Sequence, residues 1–328
     1  MIYTSPKSGG KIPLFSVFFK DYITHKYSIT ALASVVNQTV DVEDYEIIVL
    51  TDRGDVSEYE QMMGMHNYKI ITTNLISLGE SYNIFLEYAN GVYACPIDND
   101  DSWETNRLEL IKNIIYNNND IGFIKNEVNV ISEQKNDFYT KIKYYVKMNI
   151  PLRTSNKIYY IGELTKRKIL GRSLAHNVSS MTVKMSILKE RRNIIKFIYT
   201  HDDPYLFFFA FCSNKKVIFI DMPLSNYLIR KNSLTTRDKN QSAIVKLEKE
   251  YNRFAQIPIN QANLKDANFV YNFFLLYKLT LELLINMQGS KTVTLKNSEL
   301  KKGLKLAFKY RMHNFILLFL AMKIKNKH

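Results

Sequence analysis

The chain is 328 residues long and 46% hydrophobic, with only 7 prolines and 11 glycines and a formal net charge of +14. Such a chain carries a real hydrophobic core in one large domain or two smaller ones, and its composition excludes disordered and fibrous classes. Its two cysteines, Cys95 and Cys212, are too few for a disulfide framework and sit in apolar runs, so buried free thiols and a reducing, cytoplasmic setting are expected.

The first hundred residues alternate β-branched or aromatic runs with helix-like segments. Leu14 to Phe19 reads as a strand, Ser28 to Asn37 as a helix, Glu46 to Leu50 as a strand and Val56 to Met63 as a helix. Tyr68 to Thr72 follows as a strand, Ser81 to Ala89 as a helix, Val92 to Ile97 as a strand and Arg107 to Tyr116 as a helix. Strict alternation predicts a mostly parallel sheet with helices on both faces. From about Ile121 the pattern loosens into mixed strands and loops. Ser179 to Lys189 reads as a strand turning into a helix, Asp203 to Phe211 as a helix with an aromatic face, and Lys216 to Ile220 as a strand. Beyond Lys239 the chain reads as helical, with Asn268 to Met287 strongly apolar and Gly289 as a helix stop.

The feature richest in chemistry is Asp98-Asn-Asp-Asp-Ser-Trp103, directly behind the apolar run that starts at Val92. Asp98, Asp100 and Asp101 crowded at a strand end repel one another and lose hydration, which is costly unless a cation or a ligand's donors compensate. Mg²⁺ and Mn²⁺ favour this oxygen chemistry and are commonly shared between carboxylates and substrate phosphates. The same letters also make an ordinary surface turn. In parallel sheets, however, ligands bind outside the carboxyl ends of the strands, and Asp52 and Asp98 would stand on one such rim.

The charge is concentrated at the far end. Residues 241–328 hold 15 Lys/Arg against 5 Asp/Glu, a net of +10, which leaves +4 for the first 240. The last 28 residues carry eight Lys/Arg and no acid around the run from Phe315 to Met322. That run is too short to span a bilayer, and neither a spanning stretch nor a secretory signal is found elsewhere. It suits a helix lying in an anionic membrane interface, and equally a helix packed on the protein's own core or at a homodimer contact. The charge comes with no nucleic-acid-binding motif, so nucleic acid is not an expected partner.

Taken in order, these segments resemble glycosyltransferase family 2, inverting nucleotide-sugar-dependent enzymes of the GT-A fold. Ser16-Val-Phe-Phe is similar to the family's first strand, Ser34-Val-Val-Asn-Gln-Thr39 to its Ser-Val-x-x-Gln-Thr element, and Glu46-Ile-Ile-Val-Leu-Thr-Asp52 to its nucleoside-binding strand. Asn83 and Ala89-Asn-Gly-Val-Tyr93 resemble the approach to the metal-binding strand, and Asp98 to Trp103 its Asp-x-Asp-Asp-x-Trp ending. His201-Asp202-Asp203 resembles the acidic pair that carries the catalytic base, and Tyr227 to Ser233 the region that closes over the diphosphate. The likeness covers roughly residues 13–235 and is most specific up to Trp103. Two departures fall where the nucleoside would lie: Lys20-Asp21 replaces Pro-Thr, and Thr51-Asp52 replaces an acidic pair.

What the resemblance implies is a GT-A α/β domain over residues 1–239 and a basic helical region over 240–328. It implies Asp203 as catalytic base, Asp98 and Asp100 as ligands of Mn²⁺ or Mg²⁺, and Asp52, Asp98, Asn83 and Arg230 on the nucleotide. Asp101, Trp103 and Asp202 would orient substrate. The implied donor is a nucleotide-sugar, by default a UDP-sugar. The acceptor would be a glycan, lipid-linked in surface-polysaccharide assembly at the inner face of the cell membrane. A non-catalytic membrane or glycan-binding module on the same scaffold is the alternative.

Overall fold

The computed structural model describes residues 2–4, 11–133 (apart from 23, 24 and 75), 156–160 and 176–230 (apart from 197, 199–201, 212 and 214). In the C-terminal part it describes 279, 282, 283 and 297–310. The apolar run 315–322, nearly all of 268–287 and His201 lie outside the described residues.

Four parallel strands form the centre of the sheet: β2 (Phe15–Asp21), β3 (Tyr45–Thr51), β4 (Asn67–Thr72) and β5 (Tyr93–Asp98). β1 (Ile2–Thr4) closes one side against β4 in antiparallel register. On the other side follow β9 (Met181–Lys184), β7 (Ile121–Ser132), β10 (Lys216–Ile229) and the two-residue β6 (Ser102–Trp103), with β8 (Ile158–Tyr160) paired to β10. The full order is β1-β4-β3-β2-β5-β9-β7-β10-β6. Among the described residues the α-helices are α1 (Ser28–Val36), α2 (Ser57–Met63), α3 (Leu78–Tyr88), α4 (Arg107–Tyr116), α5 (Met185–Glu190), α6 (Arg192–Ile195), α7 (Asp202–Phe211) and α8 (Asn297–Tyr310).

Parallel strands covered on both faces carry near-continuous apolar runs, and every residue of β2 and β3 is buried, the polar ones lying near the strand ends. The period of two sorts the two faces. Phe15, Val17 and Phe19 pack with Ala31, Leu32 and Val35 of α1, Tyr59 of α2 and Leu108 and Ile111 of α4. Phe18, on the opposite face, stacks on Phe85 of α3 with centroids 4.5 Å apart and meets Tyr82 edge-on at 5.1 Å. Each such buried aromatic contributes about 1.5–3 kcal/mol. Because parity continues to the strand end, Lys20 faces the α3 side and Asp21 the α1 side.

Two boundaries and one burial pattern depart most from the sequence reading. α3 begins at Leu78 rather than Ser81, because Ser77 and Glu80 form a capping box: the Ser77 hydroxyl accepts from the Glu80 N–H at 3.2 Å and the Glu80 carboxylate accepts from the Ser77 N–H at 2.8 Å. β10 runs on to Ile229, past Asp221 and Pro223, where the β-branched run stops in sequence; Pro223 is exposed and the strand continues through Ser225 opposite Trp103. α7 buries residues all round rather than one aromatic face, as a helix enclosed by the fold does.

The chain divides into two compact units. One comprises Met1–Ile131, Thr154–Tyr159 and Ala175–Leu228 and carries nearly the whole sheet. The other comprises Ser132–Arg153, Tyr160–Leu174 and Ile229–His328; among its described residues are α8 and the buried Leu279, Glu282, Leu283 and Leu300. No described helix is long and apolar enough to cross a membrane.

Candidate active site

The site is built at the carboxyl ends of β2, β3 and β5. A tight turn at the other end of β5 sets its register: Gly91 lies so close to Ser16 that a Cβ would collide with the strand backbone. The buried Glu46 carboxylate accepts from the Ser16 hydroxyl at 2.7 Å and the Asn90 N–H at 2.6 Å. With that anchor, β5 delivers Asp98 directly opposite Lys20 of β2. Asp98, Asp100 and Asp101 each present an oxygen within 4.8 Å of the others.

Asp101 is the inward member of the group. Its carboxylate accepts from Asn177 Nδ2 at 2.8 Å and from the Leu228 N–H at 3.2 Å, which ties the acidic loop to β10. Burial, then the neighbouring charges of Asp100 and Asp98, push its carboxyl well above the ordinary value. A divalent cation would relieve that repulsion, and three hard oxygen donors at this spacing fit Mn²⁺ or Mg²⁺. Trp103 is buried beneath the loop, its indole N–H donating to Ser179 O at 2.6 Å with Arg107 lying over its ring at 4.2 Å. Ser179 Oγ in turn accepts from the Asp98 N–H at 3.1 Å. Trp103 is therefore tied through Ser179 to the start of the acidic loop.

Lys20 and Asp21, adjacent in sequence, serve different sides of the site. The Lys20 ammonium lies 2.9 Å from Asp98 and 2.7 Å from Asp202, and its side chain is only 8% exposed. Burial opposes its charge, but Asp202 and Asp98 outweigh that and raise it above the usual lysine value. Tyr82 donates to the same Asp202 oxygen at 2.7 Å. Asp202 is thus enclosed by its own partners. Asp203, next along the first turn of α7, is 15% exposed and accepts from the Asn177 N–H at 3.0 Å, with His176 Nδ1 3.8 Å away. Both acids sit at a helix N-terminus, where the macrodipole favours them by about 0.3–1 kcal/mol each.

Asp21 is completely buried and accepts from Thr51 Oγ1 at 2.9 Å, Tyr59 OH at 2.6 Å, Asn99 Nδ2 at 3.0 Å and the Ser28 hydroxyl. His25 joins it to Asp52, with Nδ1 2.9 Å from Asp21 and Nε2 3.1 Å from Asp52. Asp52 and the acidic loop therefore stand on one rim, connected through His25, Asp21 and Asn99.

Of the sequence-derived residues, the structure brings together Asp52, Asp98, Asp100, Asp101, Asp202 and Asp203. Asn83 is turned elsewhere: its side-chain oxygen accepts from Arg192 of α6 at 3.2 Å, and the α3 residue that reaches the site is its neighbour Tyr82. Arg230 directly follows β10, in the second unit. Asn177 had no sequence signal. It occupies the left-handed region at φ 61° and joins Asp101 to Asp203 through its amide and its backbone N–H. Ser180 and buried Lys125 hold it from behind: Ser180 Oγ donates to Asn177 O at 2.6 Å and accepts from Lys125 Nζ. Burial lowers Lys125 to about 8.

Among solved structures, the fold is shared with residues 1–349 of TarS from S. aureus in complex with UDP-GlcNAc. The two are 16% identical with a TM-score of 0.61, over 90% of this chain and 80% of that one. It is also shared with the mannosyltransferase PcManGT from Pyrobaculum calidifontis in complex with GDP-Man and Mn²⁺, 13% identical with a TM-score of 0.52, over 96% and 87%. No curated protein is a significant match. The sheet is the GT-A arrangement expected from the sequence. The sequence itself matches Glycosyl transferase family 2 over residues 25–191, just over half of the chain. Lys20, Asp21, Asp202 and Asp203 fall outside that range. It does take in Asp52, the whole acidic loop and Asn177, together with strands β3 to β9 that aim them, and the chain belongs to glycosyl transferase family 2.

Proposed function

We propose that the protein is an inverting, metal-assisted glycosyltransferase. It moves a hexosyl or N-acetylhexosaminyl group from a nucleotide-sugar, UDP-linked in the first instance, to a hydroxyl of a lipid-linked glycan in surface-polysaccharide assembly. The observation that carries this reading is the junction at Asn177, which couples the carboxylate cluster at the end of β5 to Asp203. A leaving-group site and a base must lie close together for single-displacement transfer, and this connection holds them so.

Asp98 and Asp100 are the residues that would hold the ion, with Asp101 fixing their loop. Mn²⁺ or Mg²⁺ bound there supplies positive charge that neutralises the departing diphosphate. Asp52 accepts a hydrogen bond from the nucleoside. Asp203 takes the proton of the acceptor hydroxyl while that oxygen bonds to the anomeric carbon. The bond from this carbon to the diphosphate oxygen breaks on the opposite face, and the diphosphate leaves with the electron pair. Asp202, held by Lys20 and Tyr82, keeps the first turn of α7 in place.

Thermal-shift measurements against UDP, GDP, CMP and their sugar conjugates, each with and without Mn²⁺, test the donor class. Saturation at about a hundred times Kd stabilises by about 2.7 kcal/mol, a rise of several degrees. We expect it for a single nucleotide and only with metal; no shift with any of them removes the reading. The membrane part is tested separately. Removing residues 301–328 is expected to abolish co-sedimentation with phosphatidylglycerol vesicles, and unchanged binding defeats it.

A further inference from the structure

Lys20 occupies a position with consequences for how the metal arrives. It is the cross-strand neighbour of Asp98, and its ammonium sits 2.9 Å from one Asp98 oxygen, while the Asp98 side chain as a whole remains 44% exposed. Asp202 holds the ammonium from behind at 2.7 Å, and Tyr82 lies alongside with its ring 5.8 Å from Nζ. An ammonium so enclosed has little freedom to move aside. A bare divalent ion on Asp98 would therefore share a carboxylate with a second cation, and the two repel in a partly desolvated setting. An ion already paired with a diphosphate carries no net positive charge and meets no such repulsion.

We propose that Lys20 is a resident counter-cation of Asp98 that keeps bare divalent metal off the free protein, so that the ion enters together with the nucleotide diphosphate. The inference rests on the nucleotide-sugar reading above. It assigns Lys20 a positioning role in the order of binding, while the ligands themselves stay Asp98 and Asp100. The basis is this chain's own register: a lysine at the end of β2 bridges two acids 104 residues apart in sequence, Asp98 and Asp202.

The experiment is a Mn²⁺ titration followed by electron paramagnetic resonance on the full chain, with no nucleotide and then with saturating UDP or GDP, whichever binds. In the wild type, nucleotide is expected to tighten Mn²⁺ binding at least tenfold. In Lys20→Gln, binding of Mn²⁺ alone is expected to tighten about tenfold or more, while affinity with nucleotide changes by less than threefold, so that the gap between the two closes. Lys20→Gln leaves Asp202 without its cation, so the pair Lys20→Gln/Asp202→Asn is measured alongside, and the same tightening is expected should the single variant fail to fold. Wild-type protein that binds Mn²⁺ equally well with and without nucleotide, or variants that bind Mn²⁺ alone no better than wild type, overturns the role of Lys20 only. Absence of Mn²⁺ binding in every protein with every nucleotide overturns it together with the reading on which it rests.

Discussion

Asp203→Asn is expected to lower sugar transfer by about 10²–10⁴-fold, the range for loss of a general base, while nucleotide binding in the thermal-shift assay stays as in wild type. The substitution keeps the side chain's shape and an oxygen that accepts from the Asn177 N–H, so α7 and the loop before β9 stay in place. What it removes is the capacity to take a proton. Asp202 offers no substitute, because it is buried and one of its oxygens already accepts from both Lys20 and Tyr82. The loss should appear in the transfer rate and not in donor affinity, the pattern of a group needed only as the bond forms. Full activity in Asp203→Asn sinks the assignment of the base, and loss of nucleotide binding would mean that the substitution disturbs the acidic loop through Asn177.

The second large effect is on stability. Asp21→Ala is expected to destabilise the fold by about 3–5 kcal/mol in chemical denaturation, the cost of stripping a buried charged hub from its partners. The removed carboxylate is the shared acceptor of Thr51, Tyr59, Asn99 and Ser28, with His25 at 2.9 Å and Arg53 Nε at 3.4 Å. Those donors come from β3, α2, the acidic loop and α1, so four elements lose a common tie. The pH dependence follows from the direction of the Asp21 shift. Burial would raise its carboxyl, but the hydrogen bonds from Ser28, Tyr59, Asn99 and His25 outweigh burial and lower it. A depressed folded value means that the stabilisation is present above the unfolded carboxylate pKa of about 3.9 and is lost as pH falls through the folded value. The gap between wild type and variant should therefore be full at neutral pH and narrow in acid. A difference under about 1 kcal/mol at neutral pH would contradict the view of Asp21 as the anchor of this rim.

Both predictions depend on residues of unequal visibility in the sequence. Asp203 stood out because His201-Asp202-Asp203 resembles the family's acidic pair at the start of a helix, a pattern carried by adjacent residues. Asp21 appeared only as a departure where the family has threonine. No periodicity distinguishes a buried carboxylate with several donors from an exposed one at the end of a strand. Tyr82 and Asn83 show the same limit on a helix. Adjacent residues differ by about 100° in direction; the resemblance pointed to Asn83, while in the structure Asn83 meets Arg192 and Tyr82 reaches Asp202. Trp103 belongs to a recognisable motif, yet its indole faces inward to Ser179, a partner 76 residues away.

The alternation of apolar strands and amphipathic helices, the family, and the acidic loop behind β5 were all legible in the amino-acid sequence, because each is set by neighbours within a few positions. The bridge from Asp98 through Lys20 to Asp202, the junction of Asp101 and Asp203 at Asn177, and the tie from Asp52 through His25 to Asp21 were decided only by the tertiary structure. Strand register and helix rotation bring those partners together across up to 182 residues of chain, and hydrogen-bond geometry at 2.7–3.1 Å exists only once they have met.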